Sequence, residues 1–245
     1  MICFNAKELK GSRLRCLIMT SGGRGTVAHN LQELIQHNGV VDLNQDTWAP
    51  GGFLEPKEVQ LNHATQFFPE HERDNLRDWW LVEGNRTPEW DLVSTFAPNN
   101  DGDGIILVEA KAHHSELNVN DNCGSTNDLN LIQIETAILE ANASLNGIHP
   151  GWNMVRDGHY QLCNRFAWSW KLATMGYHVI LVYLGFLNAE EMGDIFHTHE
   201  DWHEAVINYS DGLIPATVWG KQITVGEGSI LPLMVSCDQQ SSFNG

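Results

Sequence analysis

Basic residues are scarce in this chain: 14 lysines and arginines stand against 31 aspartates and glutamates, a formal net charge of −17. A broad positive surface field of the kind that gathers nucleic acid is therefore excluded, and any site that handles phosphate must obtain positive charge locally. A bound metal ion is one such source, because it is often the largest local charge in a site. Long apolar runs are also missing. No stretch approaches the roughly 18 uninterrupted apolar residues of a membrane helix, and residues 1–25 lack the basic, apolar and small-residue order of a signal peptide. The expectation is a soluble, cytoplasmic protein that engages no membrane. The five cysteines (Cys3, Cys16, Cys123, Cys163, Cys237) are odd in number and never spaced as CxxC, which excludes a disulfide framework and a structural zinc site and leaves reduced thiols. Internal repeats, low-complexity tracts and linkers are absent too.

What remains is enough for a full core: 245 residues with 42% hydrophobic content. The pattern predicts an α/β fold with a mixed central β-sheet flanked by helices, in a single domain over residues 1–245. A strand over Leu14 to Met19, a glycine-rich turn at 21–25 and a helix from Val27 to Gln36, ending near Gly39, form a βα start. Residues 40–66 show no sustained period beyond the turn at Pro50-Gly51-Gly52. Pro69 followed by acids opens a helix that runs to Leu81. Trp90 to Ala97 and Gly104 to Ala112 are β-rich and flank the turn sequence Pro98-Asn-Asn-Asp-Gly-Asp103, so they predict a hairpin. Helices follow over Asp128 to Leu145, with Gly147 just beyond, and His159 to Met175. Tyr177 to Phe186 reads as a strand covered on both faces. A helix over Glu190 to Asn208 and one or two strands within Trp219 to Ser236 complete the chain.

The chemistry gathers in the hairpin. In Gly104-Ile-Ile-Leu-Val-Glu109-Ala-Lys111, alternation puts Glu109 and Lys111 on one face and Val108, Ala110 and Ala112 on the other. A turn centred near Asn100-Asp101 brings Asp91 across from Glu109 on the same face. Two converging carboxylates suit a hard cation, Mg²⁺ or Mn²⁺, and a lysine beside it can serve a water or stabilise charge developing on a phosphate. The competing account of these residues is an ion pair at a sheet edge.

Trp90-Asp91, then Glu109-Ala110-Lys111, with a helix before the hairpin and, after it, a helix carrying Tyr160-Gln161 and Asn164-Arg165 and an apolar strand, resembles the PD-(D/E)xK nuclease superfamily. The resemblance covers about residues 69–187, the expected catalytic core, with N- and C-terminal extensions around it. It implies a restriction-endonuclease-like αβββαβ core and a metal-dependent phosphodiesterase that cleaves nucleic acid, DNA ahead of RNA. It further implies metal ligands at Asp91, Glu109 and the main-chain carbonyl of Ala110, and Lys111 as catalytic base or electrostatic helper. Glu72, with Glu70 and Glu83 as alternatives, is the expected first-helix acid, and Gln161, Asn164 and Arg165 the expected substrate contacts. His113, following the lysine, is a further phosphate contact. A homodimer is compatible with this reading. The alternative is a non-catalytic protein of the same fold that uses its acidic surface as a protein-binding module.

Other motifs carry less. Asn99-x-Asp101-x-Asp103-Gly104 begins like an EF-hand but has Ala110 where the loop's final acid belongs. Ser21-Gly-Gly-Arg-Gly25 lacks the Gly-Lys-Ser/Thr ending of a nucleotide loop. His199 and His203 share a helix face but are not HExxH, and a solvated acidic face with Trp202 packed inward is the commoner outcome. Trp79, Trp80, Trp168 and Trp170 occupy helical positions, where core packing is the default over base stacking.

Overall fold

The computed structural model describes residues 10–35, 47–98 and 102–238. Helices α1 (Gly11–Met19) and α2 (Arg24–Ile35) precede the short strands β1 (Trp48–Ala49) and β2 (Val59–Gln60). Helix α3 (Glu70–Trp80) leads to β3 (Glu89–Trp90), β4 (Leu92–Phe96) and β5 (Gly104–Lys111). Then come α4 (Asp128–Ile148), α5 (Tyr160–Thr174), β6 (His178–Phe186), α6 (His199–Ser210), β7 (Ile223–Val225) and β8 (Gly228–Cys237). The result is α/β: a mixed six-stranded sheet in the order β1-β4-β5-β6-β8-β7, flanked by helices.

Two strands form its centre. β5 and β6 run parallel, Glu109 beside Tyr183, and both are buried along nearly their whole length. That double-sided burial is why both read as continuous apolar runs. The odd-numbered Ile105 and Leu107 face a core shared with α3 to α6, whereas Ile106, Val108, Ala110 and Ala112 pack against α1 and α2. The alternation that puts Glu109 and Lys111 on one face therefore holds in the fold. Trp79, Trp80, Trp168 and Trp170 pack on one another with ring centroids 5.3–6.2 Å apart, as their helical positions predict. Cys16, Cys123, Cys163 and Cys237 are free. Among the described residues no helix is long and apolar enough to cross a membrane.

Several segments differ from the sequence reading. Leu14 to Met19 is helical, not a strand, because this apolar run is enclosed on nearly every side: all of α1 except Arg13 and Ile18 is buried, so no period shows. Its buried Arg15 pairs with Glu191, beyond β6, and that long-range contact has no local signature. The 21–25 segment consequently joins two helices, and the strand-to-helix setting of a phosphate loop is missing. Gly147 lies inside α4, which closes at His149. The helix expected from Glu190 begins only at His199, where the Thr198 hydroxyl accepts the Asp201 N–H at 3.1 Å; Thr198-x-x-Asp201 is the start signal. Gly39 and the turn residues 99–101 lie outside the described residues.

Gly185, near the end of β6, meets α6 edge-on: a Cβ there would stand 2.4 Å from Cδ2 of the buried Trp202. Gly185→Ala should therefore lower the unfolding free energy by about 1–3 kcal/mol in a urea titration. An unchanged midpoint would contradict this packing.

Candidate active site

The site is built at a bend between two sheets. β2 and β3 form a two-stranded ribbon in which Val59 pairs with Trp90 and Gln60 with Glu89. The chain leaves that ribbon at Trp90, turns at Asp91 and enters the large sheet at Leu92. Leu92 pairs with Val108, so Asp91 stands one step further along, across from Glu109, in the register expected of the hairpin. Where β4 has turned away, the Asp91 side chain supplies the missing acceptor: its Oδ2 takes the Ala110 N–H at 2.8 Å.

Helix α5 completes the group. Lys111 Nζ donates to Glu109 Oε1 and, at 2.7 Å, to Gln161 Oε1. Arg165 Nε donates to Glu109 Oε2 at 2.6 Å. The rest of the guanidinium is engaged as well, with Asn164 Oδ1 at 2.9 Å, the Glu89 carbonyl at 2.6 Å and the Trp90 ring centroid at 4.3 Å. Arg165 thus ties α5 to β3 and β5 at once. Asp121 positions the start of α5, since the Gln161 N–H donates to its Oδ2 at 2.8 Å while His159, the residue at the cap position, makes no side-chain cap.

These groups line a cavity of about 510 Å³ at the carboxyl end of β5, the end at which open α/β sheets place ligands. Asp91, Glu109, Ala110, Lys111, Gln161, Asn164 and Arg165 all reach it. Two expected residues do not. Glu72 lies near the other end of the sheet, where its Oε2 accepts the Tyr177 hydroxyl at 2.6 Å. Tyr177 precedes β6, and because β5 and β6 are parallel that end is roughly 20 Å from Lys111. Glu70 is exposed at the start of α3, and Glu83 lines a neighbouring cavity. His113 is also absent from the wall: its Nδ1 contacts the Ser115 hydroxyl at 2.6 Å as the chain enters a 3₁₀ turn. In place of Glu72 the cavity gains Glu58, Glu116 and Asp121. Glu58 comes from the residue before β2, a two-residue strand too short to leave a pattern. His199 faces Ser236, and His203 is exposed.

The charges are unequal in their fates. Burial alone would raise the Glu109 pKa, but Arg165 and Lys111 outweigh it and hold the carboxyl below its usual range. Burial works against the Lys111 ammonium, yet Glu109 and Asp91 more than offset this, so its pKa lies above that of an ordinary lysine. Lys111 is therefore an ammonium and Glu109 a carboxylate. Asp91 is different: burial and then the negative charge of Glu109 push it up to about 8. Glu58 is raised too, by burial, with Arg13 opposing at 3.8 Å. Six acids (Glu58, Glu89, Asp91, Glu109, Glu116, Asp121) line the cavity against Lys111 and Arg165, both already committed to Glu109.

Among the described residues no group of three or more His, Cys, Asp and Glu side chains forms a ready-made metal cage. Mg²⁺ is a cation of another habit, one that keeps several waters and takes only one or two carboxylates. Asp91 and Glu109 are two carboxyl groups in one cavity, with Asp91 bonded to the Ala110 N–H between them, and both Glu109 oxygens are already taken by Lys111 and Arg165.

The titration of Asp91 has a definite sign. Between about pH 4 and pH 8 the folded chain holds a proton that the unfolded chain has released, so stability falls as pH rises through that window. Asp91→Asn keeps an acceptor for the Ala110 N–H and removes the titration. The variant should melt above wild type at pH 8 and close to it at pH 4 in a metal-free thermal scan; parallel pH profiles would contradict the burial of Asp91. Compared with family models, curated proteins and solved structures, the chain matches none.

Proposed function

We propose that this chain is a divalent-metal-dependent phosphodiesterase of the PD-(D/E)xK nuclease type, acting on nucleic acid, DNA ahead of RNA. One observation carries the reading: Asp91 at the bend just beyond the β4–β5 ladder, Glu109 one residue past the last paired position of β5 and Lys111 on the Glu109 face meet in one open cavity. The order α3, β3, β4, β5, α4, α5, β6 supports a restriction-endonuclease-like αβββαβ core in its helix, hairpin, helix and strand, and departs from it in the additional helix α4 and in the two-residue β3, which pairs outside the large sheet. The strand beyond β4 is β1, which comes before α3 rather than after it.

Asp91, Glu109 and the Ala110 carbonyl would hold the cation, Mg²⁺ or Mn²⁺, which when bound polarises a phosphoryl oxygen and lowers the pKa of water. The chain's own residues do the rest. Lys111, a fixed ammonium, has three N–H donors, of which Glu109 and Gln161 take two. The third is directed to a phosphate oxygen or an attacking water, and the raised pKa makes Lys111 an electrostatic group rather than a base. Gln161 orients Lys111, and Arg165 holds Glu109 in place; its buried guanidinium is a positioning group, not a substrate contact. Asp91 must surrender its proton for the cation to bind, so metal affinity should rise with pH up to about 8.

A second reading, a non-catalytic protein of this fold that binds a basic partner through its acidic surface, is favoured by the closure of Lys111 and Arg165 on both Glu109 oxygens. Incubation with supercoiled plasmid, linear duplex, single strands and RNA in Mg²⁺, Mn²⁺ or EDTA separates the two. Phosphodiesterase activity predicts metal-dependent cleavage that falls by about 100-fold or more in Asp91→Ala and Lys111→Met, with circular dichroism spectra unchanged. Equal traces for wild type and both variants would remove the nuclease reading and leave the binding module.

A further inference from the structure

A second cavity, of about 570 Å³, adjoins the acidic one. Pro88, Glu89, Gly124 and Tyr160 line both, so the two are continuous across a shared wall. Their chemistry differs. The first is ringed by six carboxylates; the second has two, Glu83 and Glu89, and presents the half-buried Pro88 and Tyr160 over a floor of the buried Trp80, Leu81 and Ile134. It also holds Arg86, an exposed cation that makes no ion pair among the described residues. Arg13, Arg15, Arg77, Arg156 and Arg165 all face carboxylates, and Arg73 donates to the Phe68 carbonyl, so what sets Arg86 apart is its place on the rim of a cavity. In so acidic a chain an unpaired arginine beside an apolar hollow is complementary to an anion that carries an apolar group.

We infer that the second cavity is a subsite for one unpaired nucleotide of the strand being cut, its base against the half-buried Tyr160 and Pro88 and its phosphate at Arg86. This rests on the phosphodiesterase reading and adds a substrate class to it: single-stranded nucleic acid or a frayed end. The volume falls in the range of small-ligand pockets, which admits an unstacked base and its sugar but not a duplex. Aromatic and apolar walls hold bases without regard to sequence, so the preference is for strandedness rather than for a motif.

The test uses the full-length chain carrying Lys111→Met, so that substrate survives the measurement, with fluorescein-labelled ten-nucleotide single strands and the matching duplex in Mg²⁺. Anisotropy should show tighter binding of the single strand. Adding Arg86→Glu, or Thr126→Trp to fill the cavity from its exposed rim, should weaken single-strand binding by about tenfold; both positions are exposed, so folding is spared. In the Lys111-containing chain the same two substitutions should raise KM for single strands and leave kcat unchanged. Equal affinity for duplex and single strand, or indifference to both substitutions, overturns the subsite even if cleavage occurs. Absence of cleavage in every metal, with the single-strand preference and its loss in the variants intact, overturns the phosphodiesterase reading and leaves a nucleotide-binding cavity.

Discussion

Everything at the candidate site depends on one buried carboxylate being closed between two cations. Glu109 sits almost wholly out of water, and an isolated ionised carboxylate there would be untenable. Lys111 and Arg165 each take one of its oxygens. Such an arrangement is weak evidence for stability, because desolvation of three charges offsets much of their attraction. It is better evidence for placement: it fixes where the Lys111 ammonium points, draws the first turns of α5 to the end of β5 and, through the Glu89 carbonyl and the Trp90 ring, anchors the strand that leads to Asp91.

The neighbouring Asp91 has no such partner. It has one main-chain N–H, and burial, then the negative charge of Glu109, keep its proton bound into the neutral range. Two carboxyl groups in one cavity are thus driven to opposite protonation states by their surroundings, the pattern by which paired acids acquire distinct tasks. The scarcity of basic residues across the chain then acquires a local meaning. Positive charge is concentrated on Glu109, and the rest of the cavity wall is lined by acids.

The central sheet and the hairpin could be read from residues because their signals are local and periodic. Gly104 to Lys111 and His178 to Phe186 are strand-length apolar runs, and the turn chemistry between Phe96 and Gly104 sets the register that puts Asp91 opposite Glu109. Gln161, Asn164 and Arg165 were legible as a helix face, but not the role of Arg165, since the partners that enclose its guanidinium come from β3 and β5. Leu14 to Met19 carries the signal of a strand because a helix buried on nearly every side shows no face. Glu58 was missed because it enters the cavity from a ribbon of two-residue strands, and Glu72 was misplaced because the direction in which α3 crosses the sheet is a tertiary fact.

The span of the Glu109–Arg165 contact also bears on how the fold is reached. The two residues are 56 positions apart, with all of α4 between them. Until that long loop has closed, Lys111 alone faces Glu109, and dehydrating the inner face of β5 would leave one carboxylate oxygen without a donor, so docking of α5 and burial of that face are coupled. Assembly of the central parallel pair is therefore gated by an electrostatic match, and a nascent chain ending short of α5 would have to keep this strand wet.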